Sequence, residues 1–144
     1  MPGLDDRIRE RLSGKTAIVT GGAAGIGKAV CLRLALDGMR LAVVDLKEEA
    51  VARAVDELSE IAPGSVIGLA LDVRSEGDME EMARRVVERF EKVDLLVHSA
   101  GILRAKDSGP KILTQLSVRE WDEVVETNLK GTFLCNRAVA SRMM

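Results

Sequence analysis

A chain of 144 residues has the length of one domain, and 47% hydrophobic content gives it enough apolar material to bury a core. Its 21 Lys and Arg stand against 23 Asp and Glu, a formal net charge of −2, which argues against disorder and against the clustered basic face that nucleic-acid binding needs. Tyr is absent, and Cys31 and Cys135 are too few and too far apart for a disulfide framework or a zinc site.

Residues 1–14 form a charged, polar lead without the apolar stretch of a signal peptide. No run in the chain approaches the roughly 20 apolar residues of a membrane span, so the expectation is a cytoplasmic protein with no membrane contact. Thr16-Ala17-Ile18-Val19 reads as a buried strand running into a glycine cluster. Ile26, Ala29, Val30 and Leu34 recur at helical spacing over Gly25 to Asp37, and Gly38 closes that helix. Arg40 to Asp45 is a second strand, followed by a helix carrying Ala50, Val51, Ala54, Val55 and Leu58 and ended by Pro63-Gly64. Val66 to Leu71 is the third strand. Met79, Met82, Ala83, Val86, Val87 and Phe90 then make a helical stripe with Ser75 as its N-cap and Asp78 three residues on.

Asp94 to His98 is the fourth strand, and Gly101 to Leu116 a polar loop expected at the surface. Ser117 and Glu120 form a capping box for a last helix, in which Trp121, Val124, Val125, Leu129 and Phe133 fall at core spacing. Asn128 shares that face, where a buried amide would need partners. It serves either as a structural hydrogen bond or in a site. Both cysteines lie in apolar helical stretches and read as small core residues. The chain stops at Met144 in a stretch that still reads as apolar helix without a cap, the pattern of an interrupted element. Residues 1–144 are therefore expected to be the N-terminal portion of one larger domain, and the motifs below make it the dinucleotide-binding portion. Strands that are apolar throughout imply a parallel sheet covered on both faces, and strand–helix alternation implies right-handed crossovers. The expected fold is thus α/β, a parallel sheet covered by helices; the resemblance that the motifs below carry implies a Rossmann type, with four strands in the order 3-2-1-4 of a larger doubly wound sheet. Its fourth strand would present a bare edge and its last helix part of an apolar face.

The turn Thr20-Gly21-Gly22-Ala23-Ala24-Gly25-Ile26-Gly27 lies between a strand and a helix. Glycines there allow the backbone to approach a phosphate, and the helix start offers free N–H groups to it. Taken alone, the cluster also suits a purely structural turn or a methyltransferase loop. Asp45 lies 18 residues beyond Gly27, near the spacing of an acid that holds a ribose. Its charge would repel a 2′-phosphate, and no Lys or Arg occurs from Gly21 to Gly27, so NAD is expected rather than NADP. A helix-capping aspartate is the plainer reading of that residue.

From Lys15 onward the sequence resembles the short-chain dehydrogenase/reductase family, single-domain type. Thr20, Gly21, Gly25 and Gly27 match its glycine pattern, Asp72-Val73 its acid–aliphatic pair, His98-Ser99-Ala100-Gly101 in part its Asn-Asn-Ala-Gly turn, and Asn128-Leu129-Lys130-Gly131 its Asn-x-x-Gly. The resemblance implies that Gly21, Gly25, Ile26 and Gly27 cradle the pyrophosphate and that Asp45, with Leu46 beside it, holds the adenosine ribose. It further implies that Asp72 and the Val73 backbone meet the adenine and that Ala100 and Gly101 line the cofactor. The catalytic candidate is Asn128, whose carbonyl in the family holds a water leading to the active-site lysine. His98 stands without a nucleophile or metal partner and reads as structural. The implied activity is hydride transfer between nicotinamide and a small alcohol or carbonyl substrate, in a homo-dimer or homo-tetramer. The family's reaction needs a tyrosine and a lysine four residues later, and no tyrosine is present; Ser141 falls in the last helix and is not a substitute. A non-catalytic dinucleotide-binding or interaction module is the alternative.

Overall fold

The computed structural model describes residues 3–143. It holds strands β1 (Thr16–Thr20), β2 (Arg40–Asp45), β3 (Val66–Ala70) and β4 (Leu95–His98). Helices are α1 (Leu4–Leu12), α2 (Gly25–Leu36), α3 (Glu48–Ile61), α4 (Glu76–Phe90), α5 (Val118–Val125) and α6 (Gly131–Ala140). The strands form one parallel sheet in the order β3-β2-β1-β4, with Ile18 opposite both Ala42 and Leu96. This is the α/β Rossmann-type sheet that the sequence pattern implies.

Side chains alternate across the sheet, so each strand feeds two cores. Ile18, Ala42, Val44 and Leu69 face Met79, Met82, Val86 and Phe90 of α4 and Leu134, Cys135 and Val139 of α6. Ala17, Val19, Leu41 and Val43 face Cys31 and Ala35 of α2 and Val51, Ala54 and Leu58 of α3. Both cysteines are buried and free, and burial pushes their thiols up to about 12 for Cys31 and about 11 for Cys135.

Local signals place most of the boundaries. Ser75 caps α4 by accepting the Asp78 N–H at 3.2 Å. At α5 the Ser117 Oγ accepts the Glu120 N–H at 3.2 Å while Glu120 takes the Ser117 N–H at 2.9 Å.

Three expectations need correction. The polar lead contains α1, because Asp5 and Asp6 occupy the positive end of that helix, Arg9 and Arg11 the negative end, and Leu12 packs on the second core. The last helix ends at Ala140, with Ser141 as its C-cap rather than an internal residue; Met144 lies outside the described residues. The third concerns the face of that helix. Trp121, Leu129 and Phe133 are exposed, and Leu134, Cys135, Ala138 and Val139 carry the packing. A π turn over Glu126–Lys130 separates α5 from α6. Trp121 lies before that turn, Leu129 within it and Phe133 beyond it, so the apolar spacing did not mark the side that the sheet covers.

Candidate dinucleotide site at the carboxyl edge of the sheet

Parallel strands end on a common edge, which gathers four connections: Gly21–Ala24 after β1, Leu46-Lys47 after β2, Leu71–Ser75 after β3 and Ser99–Gly101 after β4. The first and last interlock. Gly21 has φ +66°, and a Cβ there would lie 2.6 Å from the Ala100 nitrogen and 2.7 Å from the Ser99 oxygen. At Gly27 a Cβ would lie 2.1 Å from the Gly21 oxygen, so the start of α2 packs directly on the turn. Buried Thr20 completes the joint: its carbonyl accepts the Ser99 N–H at 3.0 Å and its Oγ1 the Ala100 N–H at 3.4 Å.

Gly25 differs. Its φ is +51°, yet nothing lies within 4 Å of where its Cβ would stand. Open space therefore sits at the first residue of α2, whose N-cap Ala24 supplies no side-chain hydrogen bond and whose first turn holds no acid. Helices α1, α3, α4 and α5 each carry an acid there. The positive end of α2 is left for an outside anion, with the N–H groups of its first turn free to meet it. The Ile26 side chain is 80% exposed beside it.

The Asp45 carboxylate is tied into this turn. Oδ2 accepts the Ala23 N–H at 3.2 Å and Oδ1 the Leu46 N–H at 2.8 Å, which leaves an acceptor direction on each oxygen. Leu46 is exposed next to it. The contact with Ala23 fixes the glycine turn to the end of β2, a second task that the spacing did not reveal.

At the end of β3, Arg74 grips Asp72: Nε lies 3.0 Å from both oxygens, Nη2 2.6 Å from Oδ2, and the Arg74 N–H 2.9 Å from Oδ1. The guanidinium holds the Asp72 carboxyl below its ordinary range. Val73 turns inward against Gly131, where a Cβ would lie 2.9 Å from Val73 Cγ2. The Gly of the Asn-x-x-Gly segment is thus a close-approach position for α6.

Asn128 is exposed, not buried, which corrects the reading from the apolar stripe. Its amide is nevertheless fully used: Oδ1 accepts the Ile102 N–H and Nδ2 donates to the Ile102 carbonyl, both at 2.8 Å. It sits inside the π turn, and its own carbonyl accepts the Thr132 hydroxyl at 2.8 Å. The side chain therefore staples the chain just after Gly101 to the last helix. His98 is exposed at the end of β4.

Sequence reasoning missed two residues. Arg74 is legible in retrospect as an Asp-x-Arg pair on one turn. Buried Glu120 is more than a capping residue: it also accepts Lys111 Nζ at 2.6 Å and Ser108 Oγ, which pins the 101–116 loop to α5. A cleft of about 500 Å³ is lined by that loop, Arg119, Glu120 and Arg74 and includes no residue of the glycine turn. Strand ends, open backbone and an unopposed helix dipole coincide instead at the turn. Among the described residues no helix is long and apolar enough to cross a membrane, and no group of three His, Cys, Asp or Glu could hold a metal.

The same arrangement recurs in known proteins. D-threitol dehydrogenase of Mycolicibacterium smegmatis is 38% identical over 134 residues, 93% of this chain and 49% of that protein. The (2S)-[(R)-hydroxy(phenyl)methyl]succinyl-CoA dehydrogenase subunit BbsD of Thauera aromatica is 36% identical over 92% of this chain and 51% of its own length. The chain thus spans about half the length of these curated relatives. Among solved structures, NAD+-bound xylitol dehydrogenase superposes with a TM-score of 0.85 at 30% identity, over 92% of this chain and 49% of that one. A 7α-hydroxysteroid dehydrogenase complexed with NADH gives 0.84 at 31%, over 99% and 52%. The short chain dehydrogenase family matches residues 15–144. With the fold, the interlocked glycine turn and this match in agreement, the chain belongs to the short-chain dehydrogenase family.

Proposed function

We propose that these residues are the dinucleotide-holding half of an NAD-dependent oxidoreductase acting on an alcohol or carbonyl group of a small molecule. The carrying observation is the uncapped, acid-free start of α2 over the open space at Gly25, with Asp45 hydrogen-bonded to the same turn. Nicotinamide, when bound, supplies the hydride acceptor or donor. The N–H groups around Gly25, Ile26 and Gly27 face the pyrophosphate, and Gly21 keeps the turn tight against the Ser99–Gly101 connection. Asp45 accepts from the ribose hydroxyls beside Leu46, and its charge disfavours a 2′-phosphate.

Asp72 and the backbone of Val73 flank the adenine, and Ala100 and Gly101 form the wall between the β1 and β4 ends. Asn128 acts as a positioning residue, fixing Ile102 and hence that wall. The sequence holds no tyrosine, so on this reading the proton-transfer group is not among these residues. The exposed Trp121, Leu129 and Phe133 support a homo-oligomeric parent, a dimer or tetramer.

The test is a titration of the chain with NAD and with NADP by calorimetry, beside Asp45→Asn. NAD should bind more tightly than NADP, and the variant should shrink that preference by about tenfold, the loss of one charged hydrogen-bonding acceptor. Failure of both dinucleotides to bind would overturn the reading.

A further inference from the structure

The turn between α5 and α6 is tied down by side chains as well as by its backbone. Over Glu126–Lys130 the Gly131 N–H reaches back five residues to the Glu126 carbonyl, where an α-helix would reach back four. Single turns of this kind are rare interruptions of a helix, and two threonine hydroxyls bracket this one. Thr127 Oγ1 donates to the Glu123 carbonyl in α5 at 2.9 Å. Thr132 Oγ1, in α6, donates to the Asn128 carbonyl inside the turn at 2.8 Å, and Asn136 Nδ2 to the Thr132 carbonyl at 2.9 Å. One hydroxyl thus stitches the turn to the helix before it, and the other to the helix after it.

Two connections at the carboxyl edge of the sheet lean on the stitched segment. Asn128 holds both the N–H and the carbonyl of Ile102 at 2.8 Å, and its Oδ1 would lie 3.2 Å from a Cβ at Gly101. Gly131, at the far end, lies so close to the chain after β3 that a Cβ would stand 2.9 Å from Val73 Cγ2. Elsewhere a threonine hydroxyl bonded to the carbonyl four residues back merely competes with the helix ladder. Here it acts on the residue whose side chain fixes the chain after β4. Resting on the cofactor reading above, we propose that Thr132, seconded by Thr127, is a positioning residue. Its hydroxyl holds the Asn128 backbone so that the amide stays on Ile102 and keeps the Ala100–Gly101 wall shaped for the dinucleotide. Without it the Asn128 carbonyl loses a donor, the turn is freer to move toward regular α geometry, and the clamp on Ile102 opens more often.

The experiment measures hydrogen exchange at the Ile102 amide, with Ile18 in the core as reference, and NAD affinity by calorimetry. The proteins are the unaltered chain, Thr132→Val, Thr132→Ser and Thr127→Val. Valine keeps the branched shape and lacks the hydroxyl. Thr132→Val should speed Ile102 exchange about tenfold and weaken NAD about tenfold, the effect of one hydrogen bond, with Ile18 exchange and the urea midpoint little changed. Thr132→Ser should restore both, and Thr127→Val should give the same pattern at about threefold. Unchanged Ile102 exchange in Thr132→Val, or failure of serine to restore it, overturns the proposal. So does a fall in the urea midpoint with Ile102 and Ile18 speeding together, since the hydroxyl would then support the fold and not the wall. A faster Ile102 amide with NAD affinity unchanged overturns it as well. If the unaltered chain binds no NAD, the cofactor reading fails and takes the dinucleotide half of the proposal with it, while Ile102 exchange still decides the positioning half.

Discussion

The β1–β2 half of the sheet and the β4–α6 side carry similarly aliphatic sequence but meet different surroundings. Every residue of β1 is buried, as is the interior of β2, whereas Leu95, Leu96 and Val97 of β4 are only half-buried. Likewise α4 buries Met79, Met82, Ala83, Val86 and Phe90, while Trp121, Leu129 and Phe133 of the last helical segment stand in solvent. Apolar periodicity thus reports that an element has a face to bury. What covers the face is decided by sheet order and helix phase, which arise only in three dimensions.

The largest effect is expected where the sealed half meets the site. Gly27→Ala places a Cβ 2.1 Å from the Gly21 oxygen, a backbone clash that no side-chain rotation relieves. A loss of about 3 kcal/mol or more is expected in chemical denaturation, at the upper end of overpacking costs. Gly25→Ala would meet open space and suffer only its positive φ, about 1–2 kcal/mol. Equal losses at the two glycines would mean that the turn is not packed as described.

Adjacent residues of α6 test the contrast most directly. Leu134 is 4% exposed and Phe133 57%. Leu134→Ala should cost about 2–3 kcal/mol through a cavity among α4, α6 and the sheet. Phe133→Ala should stay within about 0.5 kcal/mol in dilute, monomeric protein. A rise in the Phe133→Ala cost with protein concentration would show that the exposed face is buried by association. Gly131→Ala stands between them: it pushes on Val73 Cγ2 at 2.9 Å and should cost about 1–2 kcal/mol.

These sites also mark how far the sequence could be read. The strands, most helices and the glycine turn were legible because β1, β2 and α4 obey local periodicity and Ser75 and Ser117 cap by spacing, whereas strand order came only with the family resemblance. Asp45 was legible as the acid that ends β2, but its bond to Ala23 depends on β2 lying beside β1. The helix from Ser117 was legible as a helix and misleading as a surface: Trp121 before the π turn at Glu126–Lys130 and Phe133 beyond it are both exposed. Asn128 was singled out for burial it does not have, and its clamp on Ile102 joins residues 26 apart in sequence. Helix α1 was hidden because its stability comes from end charges and one packed leucine, not from an apolar stripe.

The smallest effect lies in the 101–116 loop, where electrostatics rather than apolar packing joins the loop to α5. Lys111, with Ser108 and Ser117, holds the Glu120 carboxyl far below its ordinary range. A depressed folded value means that this contribution is complete above the unfolded carboxylate pKa of about 4.3 and drains away as the pH falls through the folded value. Acidification below about pH 4 should therefore loosen residues 106–117 relative to β1 and α4, seen as faster local hydrogen exchange. Glu120→Gln keeps the shape but removes the charge, so it should speed exchange in that segment at neutral pH and flatten its acid dependence. The urea midpoint, set mainly by the two cores, should move little. A large shift of that midpoint would mean that the loop belongs to the cooperative core, and the contrast between a sealed half and an open side would have to be redrawn around it.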